Sequence, residues 1–383
     1  MSPARPGTAL SGLPEPVLIR GTGLLGTSIG LGLRARGVRV ELHDPSPSAL
    51  AVAQDIGAGC GVELDDAAPG TVVVAAPPDV TGRAVVDSLQ RWPDAVVLDI
   101  ASVKGAIHDE VDDAVAAGAI SAEDRQRYVG THPMAGRERS GPVAARGTLF
   151  TAAPWVVCVA EAGEDGEHRG TADAAITAAT TLATAVGATV HTMTAQDHDA
   201  SVALISHLPQ IAASLVASRL QDTEATSLAL AGNGLRDTTR IAASDPQLWV
   251  QILSANAGHL VQTLQGVRED LDRLIGTLQD PSAPGARLDI AQLIAEGNAG
   301  QARIPGKHGA PPQAFSVVTV IVDDTPGQIA AVLAATGEAG VNVEDLRMDH
   351  ASGHEVGMLE ISVLPGRREA LSAALTQRGW KVV

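Results

Sequence analysis

The sequence is poor in rings, thiols and positive charge. Aromatic residues are 2% of its 383 positions, as two Phe, one Tyr and four Trp. Its core must therefore come from Ala, Val, Leu and Ile within a hydrophobic fraction of 45%. Two cysteines, Cys60 and Cys158, are too few for a disulfide framework or a thiolate metal site. A reducing, cytoplasmic setting is the simplest expectation for them. Only 27 Lys and Arg stand against 44 Asp and Glu, a net charge of −17. Nucleic-acid binders concentrate positive charge, so no nucleic-acid partner is expected, and an anionic membrane surface is equally ill suited. No uncharged apolar run of roughly 18 residues is expected, hence no membrane span. The first fifteen residues read as a flexible tail without the apolar core of a leader.

What is present divides the chain into stretches of different character. From 16 to 193, short β-rich runs alternate with Ala-rich helical ones. The runs are VLIR (17–20), VRVELHD (38–44), TVVVAA (71–76), AVVLDI (95–100), RYVGTH (127–132), WVVCVA (155–160) and ATVHTM (188–193). That alternation predicts an α/β domain with a doubly wound, mainly parallel sheet of Rossmann type. From 194 to 298 helical periodicity dominates, with breaks expected at Pro209, Gly232–Gly234, Pro246 and PSAPG (281–285). Residues 299–313 read as a Gly/Pro linker, and 314–383 as a small α+β domain of order β-α-β-β-α.

The first strand runs into Gly21-Thr22-Gly23-Leu24-Leu25-Gly26, a helix follows, and the second strand ends in Asp44. In that context the glycines suit a tight turn and close approach of a pyrophosphate, which would lie on backbone N–H groups at the helix start, Leu24 and Leu25 included. Asp44 suits a ribose 2′-hydroxyl and repels a 2′-phosphate, which favours NAD over NADP. Numbered in order and placed in the usual 3-2-1-4-5-6 arrangement, the first, fourth and fifth strands are neighbours. Ser102 (in DIASVKG, 99–105) and His132 (before Pro133) would then face the glycine loop across one crevice. A histidine there suits polarisation of a substrate hydroxyl while hydride leaves its carbon, with Ser102 orienting ring and hydroxyl.

These segments, with THPMAGRERSG (131–141), QDHDASVALISHLPQ (196–210) and GNGLRDTTRIAASDPQLW (232–249), resemble the prephenate and arogenate dehydrogenases of tyrosine biosynthesis. The resemblance spans about residues 16 to 300. It implies oxidative decarboxylation, with hydride passing to NAD(P), carbon dioxide leaving and the ring aromatising. By motif, His132 resembles the catalytic histidine, Ser102 its neighbour, and Glu138 an acid at the pocket mouth. Arg240 matches an arginine that grips the ring carboxylate, Trp249 a pocket-lining ring, and Gln210 a position facing the substrate side chain, where many prephenate-specific relatives have histidine. Arg236 lies one helical turn before Arg240, so both suit a dicarboxylate.

Asp197, His198, Asp199 and His207 form a polar cluster. A nine-residue helical step puts His198 and His207 on opposite faces, so no metal is expected. Hydrogen bonding between domains is the better reading, with His207 a pocket or neighbouring residue. The segment 323–348 resembles the ACT domain, with Gly327 and Asn342 matching its pattern. This implies control by L-tyrosine or a related aromatic amino acid, the alternative being a dimerisation module that binds none. A homodimer is expected through the helical domain. Three alternatives stand beside this. One is a β-hydroxyacid dehydrogenase, disfavoured because no lysine occurs between Lys104 and Lys307. A second is a relative acting on arogenate or 4-amino-4-deoxyprephenate, and the third a non-catalytic amino-acid sensor.

Overall fold

A computed structural model describes residues 10–136, 141–159, 171–305, 315–350 and 356–383. The chain forms two compact units, Met1–Val267 and Arg268–Val383.

In the first unit, eight strands make one sheet. They are β1 (Val17–Arg20), β2 (Val40–His43), β3 (Cys60–Gly61), β4 (Thr71–Val74), β5 (Val96–Asp99), β6 (Tyr128–Pro133), β7 (Pro154–Cys158) and β8 (Thr189–Met193). Their order is β3-β2-β1-β4-β5-β6-β7-β8. Every pairing is parallel except β6 with β7. The central strands read as unbroken apolar runs because both faces are covered. Val17 and Ile19 point into one core with Ile29, Leu33, Phe150 and Leu182. Leu18, Val72 and Val74 point into the other with Val85, Leu89 and Tyr128.

One expectation about order needs correction. TVVV, the third run in sequence, is not the third strand of the sheet. The two-residue β3 takes the place beside β2, too short to register as a run, and TVVV pairs with β1 as β4. The strands that end near Ser102 and His132 therefore lie two and three places from β1, not one and two.

A buried ionic cluster joins the carboxyl ends of β5 and β6. Lys104 and Asp99 are both fully buried and paired through Nζ and Oδ1. Lys104 Nζ also donates to the Thr131 carbonyl at 2.8 Å. The Tyr128 hydroxyl donates to Asp99 Oδ2 at 2.8 Å, and Thr131 Oγ1 to the Asp99 carbonyl at 2.7 Å. Such a cluster is tolerated in an apolar interior because each charge is paired and hydrogen-bonded.

Two further expectations are revised in the helix Ala195–Ser218. Pro209 does not break it. A π-turn over Ala203–His207 precedes the proline and absorbs its missing N–H and its clash with the turn before it. The same turn resets the helical phase, so His198 and His207, expected on opposite faces, are both buried within the unit. The helix is also long and apolar enough, by length and composition, to cross a membrane, contrary to the expectation that no such run exists. Its buried His198, Asp199, His207 and Gln210 all have hydrogen-bond partners within this unit.

The unit boundary falls inside the helix Ala257–Gln279, so residues 194–298 are shared between the two units. The helix Ala286–Gln301 runs three residues into the stretch read as linker. The second unit carries an antiparallel sheet of β9 (Ser316–Asp323), β10 (Asp345–His350), β11 (Val356–Val363) and β12 (Lys381–Val382), in the order β10-β11-β9-β12. Val318, Val320, Val322, Leu359, Ile361 and Val363 alternate along the strands and pack with Val332, Leu371 and Leu375 of the helices Gln328–Glu338 and Arg368–Gln377. The element order is β-α-β-β-α-β, one short terminal strand more than expected.

Lys104→Met keeps side-chain bulk but strips the buried Asp99 of its cation. Such a change is expected to cost about 3–5 kcal/mol of stability. It would be read as a lower urea midpoint at unchanged slope.

Candidate active site

The glycine loop leaves β1 with Gly21 at φ +112°, a left-handed conformation that favours glycine. A Cβ there would run into the carbonyl oxygen of Ala75 at the end of β4, and a Cβ on Gly26 would meet the Gly21 carbonyl. At Gly23, by contrast, a Cβ would meet nothing within 4 Å. Gly23 is the N-cap of the helix Leu24–Arg34, and no side chain caps it. The N–H groups of the first turn, those of Leu24, Leu25 and Gly26, have no partner within the helix, and the positive end of the helix dipole lies behind them. The residues fit a dinucleotide pyrophosphate.

Asp44, immediately after β2, accepts from Thr22 N at 2.6 Å, Thr22 Oγ1 at 2.9 Å and Ser46 N at 2.7 Å. These bonds lock the loop to the second strand. A carboxylate has about four acceptor sites, so one is left for a ribose hydroxyl.

His132 lies at the tip of β6, anchored through Thr131 in the buried cluster. Its Nδ1 is 2.8 Å from Nε2 of His198. Nδ1 of His198 is 2.7 Å from Oδ1 of Asp199. Asp199 also accepts from the backbone N–H of Lys104 at 2.9 Å, and its Oδ2 from that of Gly105 at 2.7 Å. It thereby caps the helix Gly105–Ala116 that follows β5. Burial acts to raise the Asp199 carboxyl pKa, but hydrogen bonds from His198, Gly105 and Lys104 outweigh it and hold it below its usual value. Burial, reinforced by His198, Lys104 and His207, pushes His132 well below the usual histidine range. It is a neutral imidazole, able to accept a proton.

Ser102, expected to orient the His132 ring, makes no hydrogen bond to it; His198 holds that nitrogen instead. Ser102 is half-buried, two residues before Lys104. His207 accepts at Nδ1 from Asn256 Nδ2 at 3.2 Å, and the same amide donates to the Asp199 carbonyl at 2.8 Å. Trp249 stands edge-on to His207, ring centres 6.0 Å apart. Gln210, expected to face a substrate side chain, is buried: its Nε2 donates to Ser214 Oγ at 3.4 Å, and its Oε1 accepts from Ser244 Oγ at 3.2 Å. Arg236 and Arg240 are exposed, in and just after the helix Asn233–Thr239. Glu138 lies outside the described residues. Among the described residues, no group of three or more His, Cys, Asp or Glu could hold a metal ion. The functional reading of the sequence passed over His198 as a site residue. Its signal was the adjacent His-Asp pair on a helix, which periodicity alone does not aim at β6.

A glycine cradle for a dinucleotide, with a neutral histidine on the same sheet edge, defines a dinucleotide-dependent dehydrogenase. Models of the prephenate dehydrogenase nucleotide-binding domain and of the prephenate dehydrogenase dimerization domain match residues 29–180 and 194–289. A probable prephenate dehydrogenase of Streptomyces niveus, NovF, is 35% identical over 95% of this chain and 98% of that one. A solved putative prephenate dehydrogenase from Corynebacterium glutamicum is 29% identical, with a TM-score of 0.65, over 76% of this chain and 91% of that one. Prephenate dehydrogenase from Aquifex aeolicus, solved with hydroxyphenyl propionate and NAD+, is 24% identical with a TM-score of 0.64. It covers 75% of this chain and 97% of its own, and shows the shared fold. The chain belongs to the prephenate dehydrogenase family.

His132, already described, and two further histidines give stability a pH dependence. Burial, with Arg125 next, lowers His108 to about 4, where it stands edge-on to Tyr128. Burial likewise lowers His207 to about 4. The unfolded chain binds more protons than the native one between these values and the usual 6.5. Stability contributed by the neutral rings is therefore complete above that window and is lost as pH falls through it. Each group contributes a slope of up to about 1.4 kcal/mol per pH unit. Melting curves between pH 7 and pH 4.5 are expected to show the fall, and His108→Phe to make it shallower.

Proposed function

We propose that the protein catalyses the NAD-dependent oxidative decarboxylation of prephenate to 4-hydroxyphenylpyruvate. The observation that carries this is His132, kept neutral at the tip of β6 on the sheet edge that bears the glycine loop. When bound there, NAD supplies the hydride acceptor. Gly21, Gly23 and Gly26 leave room for its pyrophosphate, and Asp44 retains one acceptor site for a ribose hydroxyl. His132 Nε2 accepts the proton of the ring hydroxyl as hydride leaves the same carbon. Loss of carbon dioxide sends its electron pair through the ring to that oxygen. The ring aromatises, and His132 returns the proton, so no net proton is taken from the protein. Ser102 is assigned to the substrate hydroxyl. Arg240 and Arg236 are assigned to the two carboxylates, planar guanidinium groups being suited to bidentate pairing. Glu138, His207 and Trp249 are assigned to the pocket. Gln210 acts on the pocket through Ser244, beside the turn that begins at Arg240.

A second copy of the chain is the proposed partner. The match to a dimerization domain supports it, as do exposed Leu204, Ile205, Leu215 and Val250. We also assign the α+β module of the second unit to L-tyrosine, as an ACT-like effector site. Gly327, at φ +94°, caps the helix Gln328–Glu338 with no side chain over it, as an amino-acid carboxylate requires. Asn342 Nδ2 donates to Glu344 Oε1 at 2.7 Å beside it in sequence. A cytoplasmic location goes with this reading.

NADH formation is to be measured with prephenate and with arogenate, each with NAD and NADP. Prephenate with NAD is expected to turn over fastest; faster turnover of arogenate would transfer the reading to that substrate. His132→Asn is expected to lower kcat by about 10²–10⁴-fold with dinucleotide affinity kept. L-Tyrosine titrated against turnover is expected to inhibit, and Asn342→Ala to weaken that inhibition. A rate indifferent to tyrosine would remove the effector assignment.

A further inference from the structure

Beyond the residues assigned so far, one buried chain of hydrogen bonds ends on His132 and has no part in holding substrate or dinucleotide. We propose that His198 is a positioning residue for His132. It holds the imidazole in the tautomer whose Nε2 lone pair is free for the substrate, and it takes up the Nδ1 proton as Nε2 becomes protonated. This deepens the proposed reaction and rests on it for the proton step.

The tautomer follows from what each atom can do. Asp199 Oδ1 and Oδ2 already accept from the Lys104 and Gly105 N–H groups, and a carboxylate only accepts. His198 Nδ1, 2.7 Å from Oδ1, must therefore carry hydrogen. With one proton on that ring, His198 Nε2 is an acceptor. His132 Nδ1, 2.8 Å away, then donates to it, leaving Nε2 of His132 as a bare lone pair. The helix N-terminus fixes Asp199, Asp199 fixes His198, and His198 fixes the ring that does the chemistry.

The same chain gives the proton somewhere to go. A positive charge left on His132 would lie in a buried site with Lys104 and His207 among its neighbours. Passing the Nδ1 proton along the 2.8 Å hydrogen bond moves the charge onto His198, against the Asp199 carboxylate. The substrate O–H bond breaks as His132 Nε2–H forms, and His132 Nδ1–H breaks as His198 Nε2–H forms. Both shifts reverse when the product oxygen recovers its proton. No electron is gained or lost by the protein.

The first test needs no turnover. In ligand-free, histidine-labelled protein, ¹⁵N NMR reports which ring nitrogen carries hydrogen, and His132→Asn identifies the His132 signals. Nδ1 protonated and Nε2 bare is expected; the reverse tautomer overturns the proposal even if the protein proves inactive on prephenate. The second test is His198→Gln, whose amide can accept from His132 and donate to Asp199 but cannot take up a proton. Its kcat is expected to fall by about 10²-fold, with KM and NADH affinity within about twofold of the parent. A kcat within about threefold of the parent overturns the proton step. If the unaltered protein does not turn over prephenate, the proposed function fails, while the NMR result stands or falls separately.

Discussion

Lys104 is where the first unit's architecture and its chemistry meet. Its ammonium group, buried without access to water, neutralises Asp99 and holds the carbonyl of Thr131, the residue before His132. Its backbone N–H donates to Asp199 of the long helix. One residue thus ties β5 to β6 and to the helix that brings His198. A buried ion pair of this kind adds little net stability over an apolar replacement, but it makes any other arrangement of the same groups costly. Here that cost fixes the height of His132 at the sheet edge.

The two ends of the site are built on different principles. At the dinucleotide end the backbone does the work. Gly21 and Gly26 allow close approach, and Gly23 leaves the helix start uncovered. At the histidine end the work is done by side chains at the carboxyl ends of β5 and β6 and on the helix Ala195–Ser218. Buried side chains of that kind need their polar atoms matched, and the chain from Asp199 through His198 to Nδ1 of His132 meets that demand.

Much of the fold was legible in the residues. Central parallel strands are apolar on both faces, so VLIR, TVVV and VVLD announce themselves. The glycine motif is legible as a pattern, although only Gly26 answers a need local to it: a Cβ on Gly21 would meet Ala75 of another strand end, and one on Gly23 would meet nothing. Two-residue strands escaped because β3 and β12 owe their existence to neighbours rather than to a pattern of their own. The π-turn escaped because periodicity assumes a constant helical step. Pro209 advertised a break, while the packed helix widened one turn instead.

By itself the sequence determined the class of sheet, the place of the glycine loop, the residue at the tip of β6 and the division into α/β, helical and α+β stretches. These follow from short-range rules: side-chain period, glycine conformational freedom and apolar content. The tertiary structure decided which strand neighbours β1, that His198 rather than Ser102 holds the His132 ring, and that Gln210 turns to serine hydroxyls. The His132–His198 and Gln210–Ser244 contacts join groups separated along the chain by 66 and 34 residues. The direction of a hydrogen bond at that separation is set by packing, which no local pattern encodes.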